Sequence, residues 1–123
     1  MTSRGEADAK HSSSRQEWRD EMSSVRAAID ALDDKIVALL AERQRQVERA
    51  AAVKPRLGIP ARVPDRIDEV LDRVAAASRR EGLSSELAQS LWSALIEWAI
   101  AHEERLMGDR APRGDGEAKP PKV

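Results

Sequence analysis

Arg43, Lys54, Arg66 and Glu103 are the residues whose types and spacing could do chemistry. The apolar stripe that passes through Ile36 and Leu39 reaches Arg43 next, where a leucine would fit. A guanidinium in such a seam is costly unless it is paired. Lys54 follows Arg43 by about three helical turns, so both project from nearly one face, roughly 16 Å apart. Two long cationic side chains at that separation can close on one small ligand from opposite ends. Arg66 comes just after a proline-containing loop that brings the chain back. Glu103 takes an inward place on the last apolar stripe, after Leu95, Ala99 and Ile100. Together they describe a pocket rich in positive charge and suited to a small di-acid. The structural alternative is a buried Arg43–Glu103 ion pair, with Lys54 and Arg66 as solvated surface charges. Arg26 is a further candidate. It lies about 25 Å before Arg43 along a helix and about 100° around it, so the two cannot share a site within one chain. Across an antiparallel dimer they could.

Composition narrows the classes. The chain of 123 residues is one small domain, with 21 Lys plus Arg against 22 Asp plus Glu. That balance, with no helix carrying a dense basic face, argues against nucleic-acid binding. Three Trp and no Phe or Tyr leave few rings for stacking bases. The absence of cysteine removes disulfides, thiolate nucleophiles and Cys-ligated metal centres. His11 and His102 are too few and too far apart for a histidine metal site, so no metal is expected. No signal-like or membrane-spanning apolar run is present, and the expected compartment is the cytoplasm.

The elements that must position these residues are helices. The start of the chain is polar and Ser-rich and the end holds Gly, Pro and charge, so 1–19 and 108–123 are expected to be disordered tails. The folded part is then 20–107. Met22, Val25, Ile29, Leu32, Ile36 and Leu39 follow a 3,4 spacing, which predicts a long first helix from about Asp20 to Lys54, ended by Pro55. A loop with Pro55, Gly58, Pro60 and Pro64 follows. Pro64-Asp65 open a second helix with the stripe Ile67, Val70, Leu71 and Val74, stopped at Gly82. Ser84 or Ser85 caps a third, to about Met107. No segment alternates with period two, so no strand is expected. The first helix would be about 50 Å long, against about 30 Å for a compact domain of this size. Two shorter helices cannot cover its stripe, which predicts an all-α, three-helix chain in an intertwined homodimer.

Val25-Arg26-Ala27-Ala28-Ile29-Asp30-Ala31-Leu32-Asp33, then Leu39-Leu40-Ala41-Glu42-Arg43, then Lys54, resembles the all-helical chorismate mutase family. The family pattern is an Arg-x-x-Ile-Asp-x-Leu-Asp opening, a Leu-Leu-x-x-Arg centre and a lysine near the end of the long helix. The loop with Arg66 and the segment Leu95 to Glu103 look like it too, so the similarity covers about 22–107. The resemblance implies a dimer formed through the first helix, with two active sites, and conversion of chorismate to prephenate without a cofactor. It implies that Arg43 and the partner's Arg26 bind the two carboxylates, that Lys54 donates to the ether oxygen, and that Arg66 assists. Glu103 falls where many relatives carry Gln against that oxygen. A glutamate donates there only when protonated, so the rate is expected to fall as pH rises.

Three positions depart from the family pattern. Many members have Glu directly after the arginine of the second helix, against the substrate's ring hydroxyl, and here that residue is Ile67. An upstream Asp is Val63, and a Ser one turn before Glu103 is Ala99. The apolar Ile67 also looks like isochorismate pyruvate lyase, whereas Glu103, in place of that enzyme's amide, favours a mutase. An amino-deoxychorismate mutase is a third possibility, and a non-enzymatic helical dimer the alternative from another class. Family members can also be activated by a partner of the shikimate pathway, a 3-deoxy-heptulosonate-phosphate synthase.

Overall fold

A computed structural model describes the backbone of residues 3–108 and the side chains of 13–108. Among these residues the order is helix α1 (Ser3–Val53), a 3-10 turn (Lys54–Leu57), α2 (Pro64–Glu81) and α3 (Ser85–Met107), with no strand. The all-helical, three-helix expectation therefore holds. Among the described residues no helix is long and apolar enough to cross a membrane.

α1 begins well ahead of the expected Asp20. Its first turns fall in the stretch read as a disordered tail, yet their alanines, glutamates, lysine, arginines and glutamine are good helix formers. No proline interrupts them, and extending an existing helix is far easier than starting one. Burial potential alone does not reveal such an extension. The expected tail from Gly108 onwards falls, beyond Gly108 itself, outside the described residues.

The chain divides into two units, Met1–Glu42 and Arg43–Val123. The first is α1 up to Glu42. On it Met22, Val25, Ile29, Leu32, Ile36 and Leu39 are all exposed, Leu32 at 55 % and Leu39 at 64 %. Trp18, at 73 %, extends the same 3,4 series toward the N-terminus.

The second unit carries the end of α1, the turn, α2 and α3. Pro55 lacks the N–H that a continued α-helix needs, so the chain tightens into the 3-10 turn. Gly58, at φ 67°, closes that turn in the left-handed region. Pro64 starts α2 with Asp65 in its first turn, and Gly82 (φ 75°) stops it, its N–H donating to the Ser78 carbonyl. The Ser84 hydroxyl caps α3 by accepting from the Leu87 N–H. The core is small: Ala51, Ala61, Ile96, Ile100 and Met107, with Ile67, Val70 and Leu71 packed on it. Met107 is 1 % exposed, and burying such a side chain contributes about 2 kcal/mol.

Candidate active site

The end of α1, the loop after it, the start of α2 and the middle of α3 enclose a cavity of about 310 Å³. Arg43 and Lys54 reach it from the α1 side, Arg66 from α2 and Glu103 from α3. Val63, Ile67, Val70, Ile96, Ala99 and Ile100 form an apolar wall. Three cations thus face one carboxylate around a mostly hydrophobic hollow. That is the composition of a pocket for a small, partly apolar anion.

Lys54 is the most constrained of the charged groups. Its ammonium donates to the Ala61 carbonyl at 2.8 Å and lies 2.6 Å from Glu103 Oε1. Glu103 is buried, at 6 % exposure. The approach of Nζ to Oε1 is ionic but off the hydrogen-bond direction, and Oε1 has no hydrogen-bond partner. A buried carboxylate oxygen in that condition retains the capacity to accept a further donor.

The Arg43–Glu103 ion pair considered from the pattern is not formed. Glu103 is taken by Lys54, and Arg43, half-buried, makes no ion pair among the described residues. Arg43 therefore keeps its guanidinium for something else in the cavity it lines. Arg66 is exposed and pairs with Glu69 at 3.1 Å, one turn further along α2. Such a surface pair is weak and leaves most of the fork for other partners.

Two contacts frame the cavity from outside its lining. Arg62, beside Ala61, makes a two-pronged pair with Glu97 of α3, at 2.6 and 2.9 Å. The hydrogen bond from Arg62 holds the Glu97 carboxyl below the ordinary range and raises the Arg62 guanidinium. The second contact joins His102 to Glu48 at 2.8 Å.

Of the residues singled out from sequence, Arg43, Lys54, Arg66, Ile67, Ala99 and Glu103 line one cavity. Arg26 belongs to the first unit, and the lining comes wholly from the second. Sequence reasoning missed the Ala61 carbonyl, a backbone atom that no side-chain pattern announces. It also missed Val47 and Val70 as lining, although both are apolar and one helical turn from residues it did name. Among the described residues no acidic or histidine cluster could hold a metal ion.

The family model for chorismate mutase type II matches residues 25–104, which include every described residue lining the cavity. The chain is 30 % identical over 88 residues to a chorismate mutase of Methanocaldococcus jannaschii, covering 72 % of this chain and 89 % of the relative. It is 29 % identical over 89 residues to a 4-amino-4-deoxychorismate mutase of Streptomyces venezuelae, covering 72 % and 86 %. No solved structure gives a significant match. The match spans the cavity and most of the three helices, and the chain belongs to the chorismate mutase type II family.

Proposed function

We propose that this chain converts chorismate to prephenate, acting as an isomerase on a small cyclic dicarboxylate. The observation that carries the reading is the cavity in which Arg43, Lys54 and Arg66 face a single carboxylate, inside the segment that matches the family. The rearrangement breaks one C–O bond and forms one C–C bond within the same molecule. It needs no proton transfer and no covalent intermediate. What the protein supplies is a grip on the compact conformer and stabilisation of the charge that grows on the ether oxygen. In this reading Arg43 binds one substrate carboxylate and Arg66 assists. Lys54, held by Ala61 and Glu103, points its remaining donor capacity at the ether oxygen. Ile67 and Ala99 shape the apolar wall around the ring.

The second carboxylate requires another cation, and Arg26 of a second copy is the proposed source. The support is the exposed apolar series Met22 to Leu39 on the same helix, a surface of the kind that marks an interface. The proposed working form is thus a homodimer in the cytoplasm.

Ile67 and Val63 bear on the choice of substrate. Neither offers an acceptor to a ring ammonium, which favours hydroxyl-bearing chorismate over the 4-amino compound named for the Streptomyces relative. Elimination of pyruvate from isochorismate is the second reading: Ile67 suits it, and the Glu103 carboxylate opposes it. Incubation with chorismate and with isochorismate, followed by product chromatography, separates them. Prephenate supports the mutase, and salicylate supports the lyase.

A further inference from the structure

A polar chain outside the cavity lining also joins the end of α1 to α3. Arg105 Nη2 lies 3.3 Å from His102 Nδ1, and His102 Nε2 lies 2.8 Å from Glu48 Oε2. Gln44 donates to the same Glu48 oxygen at 3.3 Å. Trp98 stacks on the imidazole, with ring centroids 4.6 Å apart and planes at 23°. Arginine has only donors, so Nδ1 must accept from it and the ring proton sits on Nε2, directed at Glu48. The Glu48 carboxyl is held below its ordinary range, first of all by this hydrogen bond from His102.

His102 and Glu103 are consecutive on α3, so their side chains leave the helix about 100° apart. Each is tied to a different point on the α1 side: His102 to Glu48, Glu103 to Lys54. Beside the packing of Ile96 and Ile100 in the core, one tie alone leaves α3 freedom for a small turn about its axis. Two ties at different azimuths fix that rotation, and with it the place of the Glu103 carboxylate beside Lys54. We infer that His102 and Glu48 are positioning residues, whose contact sets the Lys54–Glu103 pair in the cavity. Neither lines the cavity, and neither touches the substrate in the proposed reaction. The effect on turnover rests on the proposed function, while the effect on Lys54 does not.

The test therefore has two readouts on folded protein, checked by circular dichroism. Acetic anhydride labelling, quantified by mass spectrometry, reports how tightly Lys54 is held, with Lys35 of the first unit as internal reference. Expected: His102→Ala and Glu48→Ala raise Lys54 labelling several-fold, while Glu48→Gln, whose amide oxygen still accepts from Nε2–H, keeps it near wild type. With chorismate, the two alanine variants lose kcat roughly tenfold with KM within about twofold, since displacement of a reacting group by a fraction of an ångström is costly. Glu48→Gln again stays close to wild type. Should His102→Ala fail to fold, the two Glu48 variants carry the comparison. Unchanged Lys54 labelling in folded alanine variants, or Glu48→Gln behaving like Glu48→Ala, would overturn the inference. Wild-type protein inert toward chorismate would refute the proposed function, and labelling would still decide the positioning.

Discussion

The ammonium of Lys54, at the end of the long helix, lies 2.6 Å from the Glu103 carboxylate of α3, and both groups line the same cavity. The lysine's other anchor is the Ala61 carbonyl at 2.8 Å. A cation held this way is oriented before any ligand arrives, so it need not reorganise at the moment of reaction. The neighbouring carboxylate also works against it, because it neutralises charge the transition state would use and can itself only accept. Glu103→Gln keeps the shape and adds a donor. Its kcat/KM for chorismate at pH 7.5 is expected to equal or exceed wild type. Glu103→Ala removes one of the two anchors of Lys54 and is expected to lose roughly a hundredfold, as misplacement of a reacting group does. Steady-state kinetics at pH 7.5 check both. A Gln variant as impaired as the Ala variant would contradict this role.

Arg43 separates a site from a mere structural seam. Half-buried and without an ion pair among the described residues, it would be dispensable to the fold and central to binding. Arg43→Met is expected to leave thermal stability unchanged or slightly improved, since an apolar residue can replace a desolvated cation without loss. Turnover of chorismate is expected to fall at least a hundredfold. Melting curves and kinetics on the same preparation measure the two effects.

Ile36 sits in the exposed series of α1 at 51 % exposure, between Leu32 and Leu39. If a second copy covers that series, Ile36→Asp places a charge in the interface. Light scattering is expected to show a dimer for the wild type and a monomer for the variant, with activity lost in the monomer because Arg26 no longer arrives from a partner. A fully active monomer would contradict both the dimer and the role of Arg26.

Two carboxylates tie stability to acid pH. Glu97 is held below its ordinary value of 4.5 by the hydrogen bond from Arg62, and Glu48 by that from His102. A group with a lowered folded value stabilises the fold above the unfolded value, and that stability is lost as pH falls through the folded value. Both groups are solvated, so the contribution is small and screened by salt. The melting temperature is expected to fall below pH 4.5, and to fall less steeply in the Glu48→Gln/Glu97→Gln double variant. Parallel curves for the two proteins between pH 3 and 6 would contradict the assignment.

Much of the cavity was legible because helical offsets are rigid. Arg43 and Lys54 could be placed on one face, and Glu103 on the inward stripe of the third helix, by counting residues alone, whereas Ile67 and Ala99 were marked as site positions only by the family resemblance. The partner of Glu103 could not be placed by counting. A pair with Arg43 is one alternative that pattern leaves open, whereas the rotation of α3 against the end of α1 presents Glu103 to Lys54. That rotation depends on how Ala51, Ile96 and Ile100 fit together in the core and on the two ties of His102 and Glu103 to the α1 side, and periodicity encodes neither. The His102–Glu48 contact was hidden for a related reason. Counting histidines tests for a metal site, but not for an imidazole stacked on Trp98 and shared by Arg105 and Glu48. The start of α1 was misjudged because burial potential is a poor guide to a helix extended on propensity.

The most direct test is to incubate purified protein with chorismate and, separately, with isochorismate at pH 5 and 7.5, resolving products by chromatography. Prephenate from chorismate, lost in Arg43→Met, is the predicted result. Turnover of neither compound by an intact helical dimer would contradict the account.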